Sequence, residues 1–201
     1  VVYTDGACKR PRLAALRRAG AGAYCGEGHP GNFSPLPRLR QTNQRAELWA
    51  LVRVMEGDSR PLHVFTDSAY VHGNFLRWAH WRHRGWKGDH ADLWGRIHAC
   101  LTQNPDRVLV SKVRAHLTWG HVAAGIISAD AKIRNARADK LAGLGADAHA
   151  PLLSLEREGR QRREKAKNRQ KLMLDILRDR YLGISELPAH VTRVPRGAFV
   201  R

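Results

Sequence analysis

The sequence predicts an α/β domain in which a five-stranded sheet is flanked by helices. Two strand-like runs support this prediction, because each leads into an aspartate: residues 1–4 precede Asp5, and residues 62–66 precede Asp67. β-Branched and aromatic residues of this kind favour a buried, pleated strand. The third observation is the order of the predicted elements, which is three strands, a helix, a strand, two helices, a strand and a helix.

The remaining strands are predicted from small residues, valines and proline positions. Residues 20–26 alternate small side chains and predict a strand that forms a hairpin with the first one. Residues 32–40 contain Pro35 and Pro37, which lack the N–H that a ladder needs, so a strand here would lie at a sheet edge. Residues 108–113 predict the last strand. The first three strands would therefore form an antiparallel meander.

Helices are predicted where apolar residues recur at spacings of three and four. The first runs over residues 44–56, with Thr42 and Asn43 as cap residues and Gly57 as the glycine that ends it. Its apolar face consists of Leu48, Leu51, Val52 and Met55. Further helices are predicted over residues 69–82, 91–103 and 130–148, whereas residues 119–127 are ambiguous. The inner face of the helix over 130–148 is expected to present Ile133, Ala136, Leu141 and Leu144.

The composition indicates a polyanionic partner. The 201 residues include 35 Lys or Arg and 18 Asp or Glu, a formal net charge of +17, and nucleic acid is the leading partner class. A basic protein that sits on a membrane surface is the alternative. Cys8, Cys25 and Cys100 are odd in number and far apart, which argues against a disulfide scaffold and a structural zinc site. They favour a reducing, intracellular compartment, with nucleus and cytoplasm both open.

A change of composition near residue 150 predicts two parts. Residues 1–150 hold 22 basic and 12 acidic groups and all the predicted strands, so they are expected to form the folded domain. Residues 151–201 hold 13 basic and 6 acidic groups and are expected to form a basic helical extension, over about 156–180, and a tail. No run approaches the roughly 20 apolar residues of a membrane span. The start at Val1, inside a predicted strand, is expected of a segment of a longer chain.

Residues 78–88 interleave tryptophans with positive charges. Such a run suits a nucleic-acid backbone, because cations contact phosphates and rings pack against sugars or bases. The alternative is that Trp78 and Trp81, three residues apart, are core anchors of a helix whose arginine neighbours are solvated. We expect both roles to be present in part.

Four carboxylates recur near predicted strand ends or on predicted helices: Asp5, Glu47, Asp67 and Asp139. Each alone has an ordinary structural explanation, since Glu47, for example, would favour the positive end of its helix. If Asp5 and Asp67 follow adjacent strands, the carboxylates converge and cannot all stay ionised without a cation. Mg²⁺ is typically held by a few carboxylates and substrate phosphate oxygens. Two such ions can promote phosphodiester cleavage.

Five blocks of sequence resemble, in order, the type 1 ribonuclease H family, which occurs as free enzymes and as a domain of reverse-transcribing elements. They are TDGA at residues 4–7, TNQRAEL at 42–48, TDSAYV at 66–71, GWK followed by DLW between 85 and 94, and NARADKLA at 135–142. The resemblance covers residues 1 to about 148. It implies a ribonuclease H-like fold, in which a mixed sheet combines an antiparallel meander with two parallel strands.

The resemblance also implies a function and a set of site residues. The function is an endonuclease that hydrolyses the RNA strand of RNA–DNA hybrids with two Mg²⁺ ions, with Mn²⁺ as a substitute, and leaves 5′-phosphate ends. Asp5, Glu47, Asp67 and Asp139 would be the catalytic metal ligands, and His116 would assist proton transfer or product release. Nucleic-acid contacts are implied for Thr42, Asn43, Gln44, Trp78, Trp81, Arg82, Arg84, Trp86 and Lys87. A monomer is expected.

Departures from the family pattern leave alternatives open. Ala69 stands where many members have a glutamine that touches bases. Asp139 follows His116 by 23 positions, a longer segment than in compact members, so His121 is the alternative to His116. Asp130 is the alternative to Asp139 as the fourth carboxylate. Two other functions remain: a domain that binds hybrid or duplex nucleic acid with weak or no turnover, and a DNA-directed nuclease or integrase of the same broad fold.

Overall fold

Five strands rich in β-branched or small residues form one sheet in the part of the chain that the structure describes. The structure is a computed structural model, and it describes residues 1–12, 14–37, 40–115, 118–150 and 153–185. The chain divides into two compact units, Val1–Pro151 and Leu152–Arg201. The strands are β1 Val2–Lys9, β2 Arg18–Tyr24, β3 Phe33–Pro35, β4 Leu62–Thr66 and β5 Val108–Lys112.

The order of the strands across the sheet is β3-β2-β1-β4-β5. β1 pairs antiparallel with β2, and β2 with β3, while β4 runs parallel to both β1 and β5. The strand with Pro35 lies at the edge, where a residue without an N–H costs no ladder bond. The predicted fold class, a mixed sheet with an antiparallel meander and parallel strands, is therefore confirmed.

Helices flank this sheet, and a further long helix forms the described part of the second unit. They are α1 Asn43–Gly57, α2 Ala69–Leu76, α3 Trp78–Trp81, α4 Ala91–Gln103, α5 Trp119–Ala123, α6 Ala129–Asp147 and α7 Leu153–Ser185. Two short 3₁₀ turns, Ala14–Leu16 and Pro105–Arg107, complete the elements among the residues that the structure describes. No helix of the described residues is both long and apolar enough to cross a membrane.

Two helix predictions were wrong in detail. The helix predicted over residues 69–82 is broken at Arg77, whose φ of −87° and ψ of 8° interrupt the helical repeat. Across this break, the indole N–H of Trp81 donates to the backbone carbonyl of Asn74 at 3.0 Å. Gly57 was expected to lie beyond the first helix, but it is the last residue of α1, and the extended residue Asp58 ends that helix.

The inner face of α6 also differs from the prediction. Ile133 and Leu144 are 40% and 43% exposed, and the buried positions are instead Asn135, Ala138, Ala142, Gly145 and Ala146. The reason is close packing on β2, where glycines let the helix backbone approach the sheet. A Cβ on Gly22 would lie 2.2 Å from the carbonyl oxygen of Ala138, and one on Gly20 would lie 2.0 Å from the nitrogen of Ala146. Large side chains do not fit this interface and point outward.

A pair of glycines in α6 provides a test of this packing. We expect Gly145→Ala to lower the free energy of unfolding by about 1–3 kcal/mol, because the added methyl would lie 2.5 Å from the carbonyl oxygen of Ser34. Gly143→Ala is the matched control, since nothing lies within 4 Å of its Cβ, and it should stabilise the helix by about 0.5–1 kcal/mol. Urea denaturation measures both values. Equal effects of the two substitutions would contradict the close approach.

The main core lies between the sheet and helices α1 and α4. All four predicted apolar positions of α1 are buried there: Leu48, Leu51, Val52 and Met55. α4 contributes Leu93, Trp94, Ile97 and Leu101, whose spacing of one, three and four residues places them on one face. Because both helices are anchored in this way, the start of α1 is held firmly over the sheet.

Candidate metal centre and nucleic-acid interface

Three carboxylates converge over the centre of the sheet. Asp5, Glu47 and Asp67 each offer an oxygen, and these oxygens all lie within 4.8 Å of one another. The sheet register brings the two aspartates together, because Thr4 of β1 is paired with Thr66 of the parallel strand β4 and each aspartate follows its threonine. The sequence predicted that the first strand ends at Asp5, and this prediction was wrong. β1 continues to Lys9 by pairing with β2 alone.

Glu47 reaches this point because α1 packs directly on β1. Gly6 makes the approach possible, since a Cβ at this position would lie 2.3 Å from the backbone nitrogen of Glu47. Thr42 begins the helix by accepting a hydrogen bond from the N–H of Arg45 at 3.3 Å. The start of α1, the centre of β1 and the end of β4 therefore form one site.

Two hydrogen bonds hold the Glu47 carboxylate. The Ser68 hydroxyl donates to one oxygen at 2.6 Å, and the Asn43 side-chain amide donates to the other at 2.9 Å. Ser68 also caps α2 by accepting from the N–H of Val71 at 3.2 Å. Sequence reasoning missed Ser68. The available signal was its position directly before a helix, where serine is a preferred cap.

The electrostatics of the group favour a bound cation. Burial, together with the neighbouring Asp67 carboxylate, raises the pKa of Asp5 to about 8 from 3.8, although the N–H of Gly6 partly opposes the rise. Burial also raises the pKa of Glu47, against the opposing hydrogen bonds from Ser68 and Asn43. Ionised, closely spaced oxygens are the ligands that Mg²⁺ prefers. The donor set therefore fits a hard divalent cation.

Asp139 lies outside this group of three in the described part of the chain. It is exposed on α6, yet its charge contributes to the raised pKa of Asp5, so it lies within electrostatic range of the site. Asp130, its alternative, sits in the first turn of α6 and pairs with Arg134 at 2.7 Å. Asp139 is thus one of three carboxylates, with Asp67 and Glu47, whose charge acts on Asp5.

The structure describes only one of the two candidate histidines, His116 and His121. His116 lies outside the described residues, so its predicted role stays a prediction. His121 lies in α5, and its Nδ1 accepts a hydrogen bond from the backbone N–H of Thr118 at 3.1 Å. This bond is part of a capping box that begins α5. The described geometry therefore gives His121 a structural role at a helix start.

The tryptophan-rich segment combines an apolar base with exposed cations. Trp81 is 7% exposed and lies edge-on to Trp94, which is fully buried, while half-buried Trp86 contacts both rings. The indole N–H of Trp78 donates to Nδ1 of His98 at 3.1 Å. The guanidinium carbon of Arg82 lies over the ring of Trp78, 5.5 Å from its centroid. Trp81 is thus an anchor of the hydrophobic core. The charged side chains at the surface of this segment are Arg82, Arg84 and Lys87.

An ion pair between a buried arginine and an exposed aspartate joins the start of α1 to the start of α4, just after the tryptophan-rich segment. Arg45, at the start of α1 and 5% exposed, forms two hydrogen bonds to the carboxylate of Asp92 at the start of α4. The bond from Arg45 holds the pKa of Asp92 at about 2. Beside this pair, the Tyr70 hydroxyl contacts His90 Nδ1 at 3.0 Å and accepts from the indole of Trp94 at 3.1 Å. This network joins the tryptophan-rich segment to α1, the helix that supplies Glu47.

The sequence of this chain matches a known protein family and several of its members. The sequence model of the family described as RNase H matches residues 1–147. Ribonuclease H of Rhodopseudomonas palustris (strain BisB5) is 31% identical over 158 residues, which cover 74% of this chain and 93% of that protein. Human ribonuclease H1 is 39% identical over 97 residues, which cover 43% of this chain. That match spans 32% of the human protein, or about a third of its length.

A solved structure agrees with the sequence comparison. The solution structure of the PFV RNase H domain aligns with a TM-score of 0.54 and 28% identity, covering 72% of this chain and 92% of that domain. The matched residues of the family model include all five strands and helices α1 to α6, and the match ends before α7. The long helix of the second unit therefore lies outside the region that these comparisons describe.

Proposed function

The chain belongs to the RNase H family, and we propose that it is an endonuclease that hydrolyses the RNA strand of RNA–DNA hybrids. The observation that supports this proposal most directly is the convergence of Asp5, Glu47 and Asp67 within 4.8 Å in a chain of net charge +17. A cluster of carboxylates in so basic a protein suits a polyanionic substrate that approaches with divalent cations. Cleavage would leave 5′-phosphate and 3′-hydroxyl ends.

In this proposal, Asp5, Glu47, Asp67 and Asp139 hold two Mg²⁺ ions. When bound, these ions activate the attacking water and stabilise the leaving oxygen. The chain's own contribution is to fix the ligands: Ser68 and Asn43 orient the two oxygens of Glu47, and the sheet register sets the spacing of Asp5 and Asp67. His116 would assist proton transfer or product release.

Substrate selection would use both sides of the site. Asn43 and Gln44, exposed at the start of α1, would contact the minor groove, where an RNA strand displays its 2′-hydroxyl groups. Arg82, Arg84 and Lys87 would contact the phosphates of the DNA strand. Trp81 and Trp86 would support these cations from beneath, with Trp78 packing under Arg82. The 2′-hydroxyl contact would distinguish RNA from DNA on the strand that is cleaved.

Binding without turnover is the second candidate function. The observation that favours it is the position of Asp139, which is exposed and lies outside the group of three carboxylates. A fold of this kind can retain its nucleic-acid surface after losing activity. The two functions make opposite predictions for a cleavage assay.

The deciding experiment is cleavage of a labelled RNA–DNA hybrid by the full chain in Mg²⁺, beside matched RNA and DNA duplexes and an EDTA control. We expect cutting of the RNA strand of the hybrid alone, abolished by EDTA. Binding of the hybrid without cutting in either Mg²⁺ or Mn²⁺ would reject the endonuclease and support the second function. Cutting of the DNA duplex would instead indicate a DNA-directed nuclease.

The exposed cations of the tryptophan-rich segment yield a separate prediction. Replacing Arg82, Arg84 and Lys87 together by glutamine should reduce the salt dependence of hybrid binding by about two to three units of slope, since each phosphate contact contributes about 0.9. Fluorescence anisotropy over a KCl series in EDTA measures the slope. The control removes the same charges from α7, at Arg162, Lys165 and Arg169. A slope that the first variant leaves unchanged would mean that this segment does not contact phosphates.

A further inference from the structure

The first half of α7 has a charge distribution that the carboxylate site does not explain. Residues 157–171 contain eight Lys or Arg and two Glu, and alanine at 166 and glycine at 159 are their only apolar residues. Their described side chains are largely exposed along the helix. Nothing in the proposed hydrolysis requires this segment, and the family match ends before it.

Four of the cations form a stripe on one face of α7. Arg160, Arg163, Lys167 and Lys171 are spaced by three, four and four residues, which places them within one quadrant of a helix. The stripe is about 16 Å long at the usual rise per residue. No carboxylate among the described residues forms an ion pair with these four side chains, and the ion pairs of α7 join Glu158 to Arg162 and Asp179 to Arg178. Three carboxylates of α7 stand three or four positions along the sequence from members of the stripe: Glu156, Glu164 and Asp175.

The like charges within the stripe repel one another along the helix. Arg163 and Lys167, and Lys167 and Lys171, are like charges four residues apart, and each such pair costs about 0.2–0.5 kcal/mol. A row of anions along the stripe would remove this cost. Duplex nucleic acid presents one phosphate charge per roughly 1.7 Å of its axis, so about 16 Å of duplex offers enough phosphates for all four cations.

We propose that the stripe formed by Arg160, Arg163, Lys167 and Lys171 is a second nucleic-acid-binding surface, which contacts the phosphate backbone of a duplex without reading its sequence. A membrane surface fits less well, because a helix that lies on lipid needs large apolar residues opposite its cations. Residues 157–171 have none. The surface lies on a different unit from the carboxylates, and it acts in binding whether or not the chain cleaves.

The test compares two variants of the full chain that remove the same charges from opposite faces of α7. The stripe variant combines Arg160→Gln, Arg163→Gln and Lys167→Gln. The control variant combines Arg162→Gln, Lys165→Gln and Arg169→Gln, which likewise removes two arginines and one lysine. Binding to a labelled 30-base-pair DNA duplex is followed by anisotropy in EDTA over a KCl series. Circular dichroism verifies that both variants retain their helix content.

We expect the stripe variant to lose about two to three units of salt slope, and at least 10-fold in affinity at about 0.15 M salt, since each phosphate contact contributes about 0.9 units. The control should lose less than about one unit. Equal losses in the two variants would show that only the total charge matters and would overturn the stripe. So would stripe-dependent binding to anionic phospholipid vesicles with unchanged DNA binding. Because no cleavage is measured, failure of the endonuclease proposal would leave this result readable.

Discussion

Asp67→Asn is expected to abolish metal-dependent cleavage of the hybrid while leaving hybrid binding nearly unchanged. The substitution removes one charged ligand from a group whose oxygens lie within 4.8 Å, and asparagine keeps the size of the side chain. Loss of one preorganised electrostatic contact in an active site commonly costs 10² to 10³ in rate, and we expect a loss of about 10³-fold or more here. Binding depends mainly on the exposed cations, which the substitution does not touch.

The matched control for this experiment is Asp106→Asn. Asp106 lies in the turn before β5, and the register Leu62 with Val108 places that turn at the end of the sheet opposite Asp67. Single-turnover cleavage and anisotropy in EDTA measure activity and binding separately. If the Asp67 variant cleaves as fast as the unchanged protein, the carboxylate group is not the catalytic centre. If both rate and binding fall together, Asp67 acts in substrate binding.

The repeated pairing of a strand with an aspartate made much of this site predictable. Residues 1–4 and 62–66 both end in threonine before an aspartate, and adjacent parallel strands in register must then place Asp5 beside Asp67. Glu47 was implied by the family resemblance of residues 42–48, whereas helix periodicity predicted only that Leu48 and Leu51 lie on the apolar face of α1. Part of the sheet order was also predictable, because proline placed one strand at an edge and the small-residue hairpin placed another beside the first.

The parts that sequence reasoning missed depend on contacts between distant segments. The inner face of α6 was wrong because hydrophobicity favours Ile133 and Leu144, whereas the close approach of the backbone to Gly20 and Gly22 admits only small residues. The bond from Ser68 to Glu47 joins residues 21 positions apart, and that from Arg45 to Asp92 joins residues 47 apart. Local periodicity contains no information about either pair.

Asp5→Asn is expected to stabilise the metal-free protein, and to do so more at pH 8 than at pH 4. In the unfolded chain Asp5 loses its proton near its ordinary pKa of 3.8, whereas burial and the adjacent Asp67 raise its pKa in the folded state to about 8. Between these values the unfolded state binds fewer protons. The stability of the unchanged protein therefore falls as the pH rises from about 4 to 8. Asparagine does not titrate and removes this loss.

We expect the variant to exceed the unchanged protein at pH 8 by on the order of 2 kcal/mol, or about 4–8 °C in Tm, and to differ little at pH 4. Thermal unfolding in EDTA across this range measures the difference, with Asp106→Asn as the control that should follow the unchanged protein. At pH 8, added Mg²⁺ should make the unchanged protein more stable than the Asp5→Asn variant. A cation that binds only the folded state stabilises that state, and its binding needs the ionised Asp5. A variant that gains as much stability from Mg²⁺ as the unchanged protein would show that Asp5 is not a metal ligand. A pH-independent difference in EDTA would show that the carboxylate is not destabilised by its surroundings.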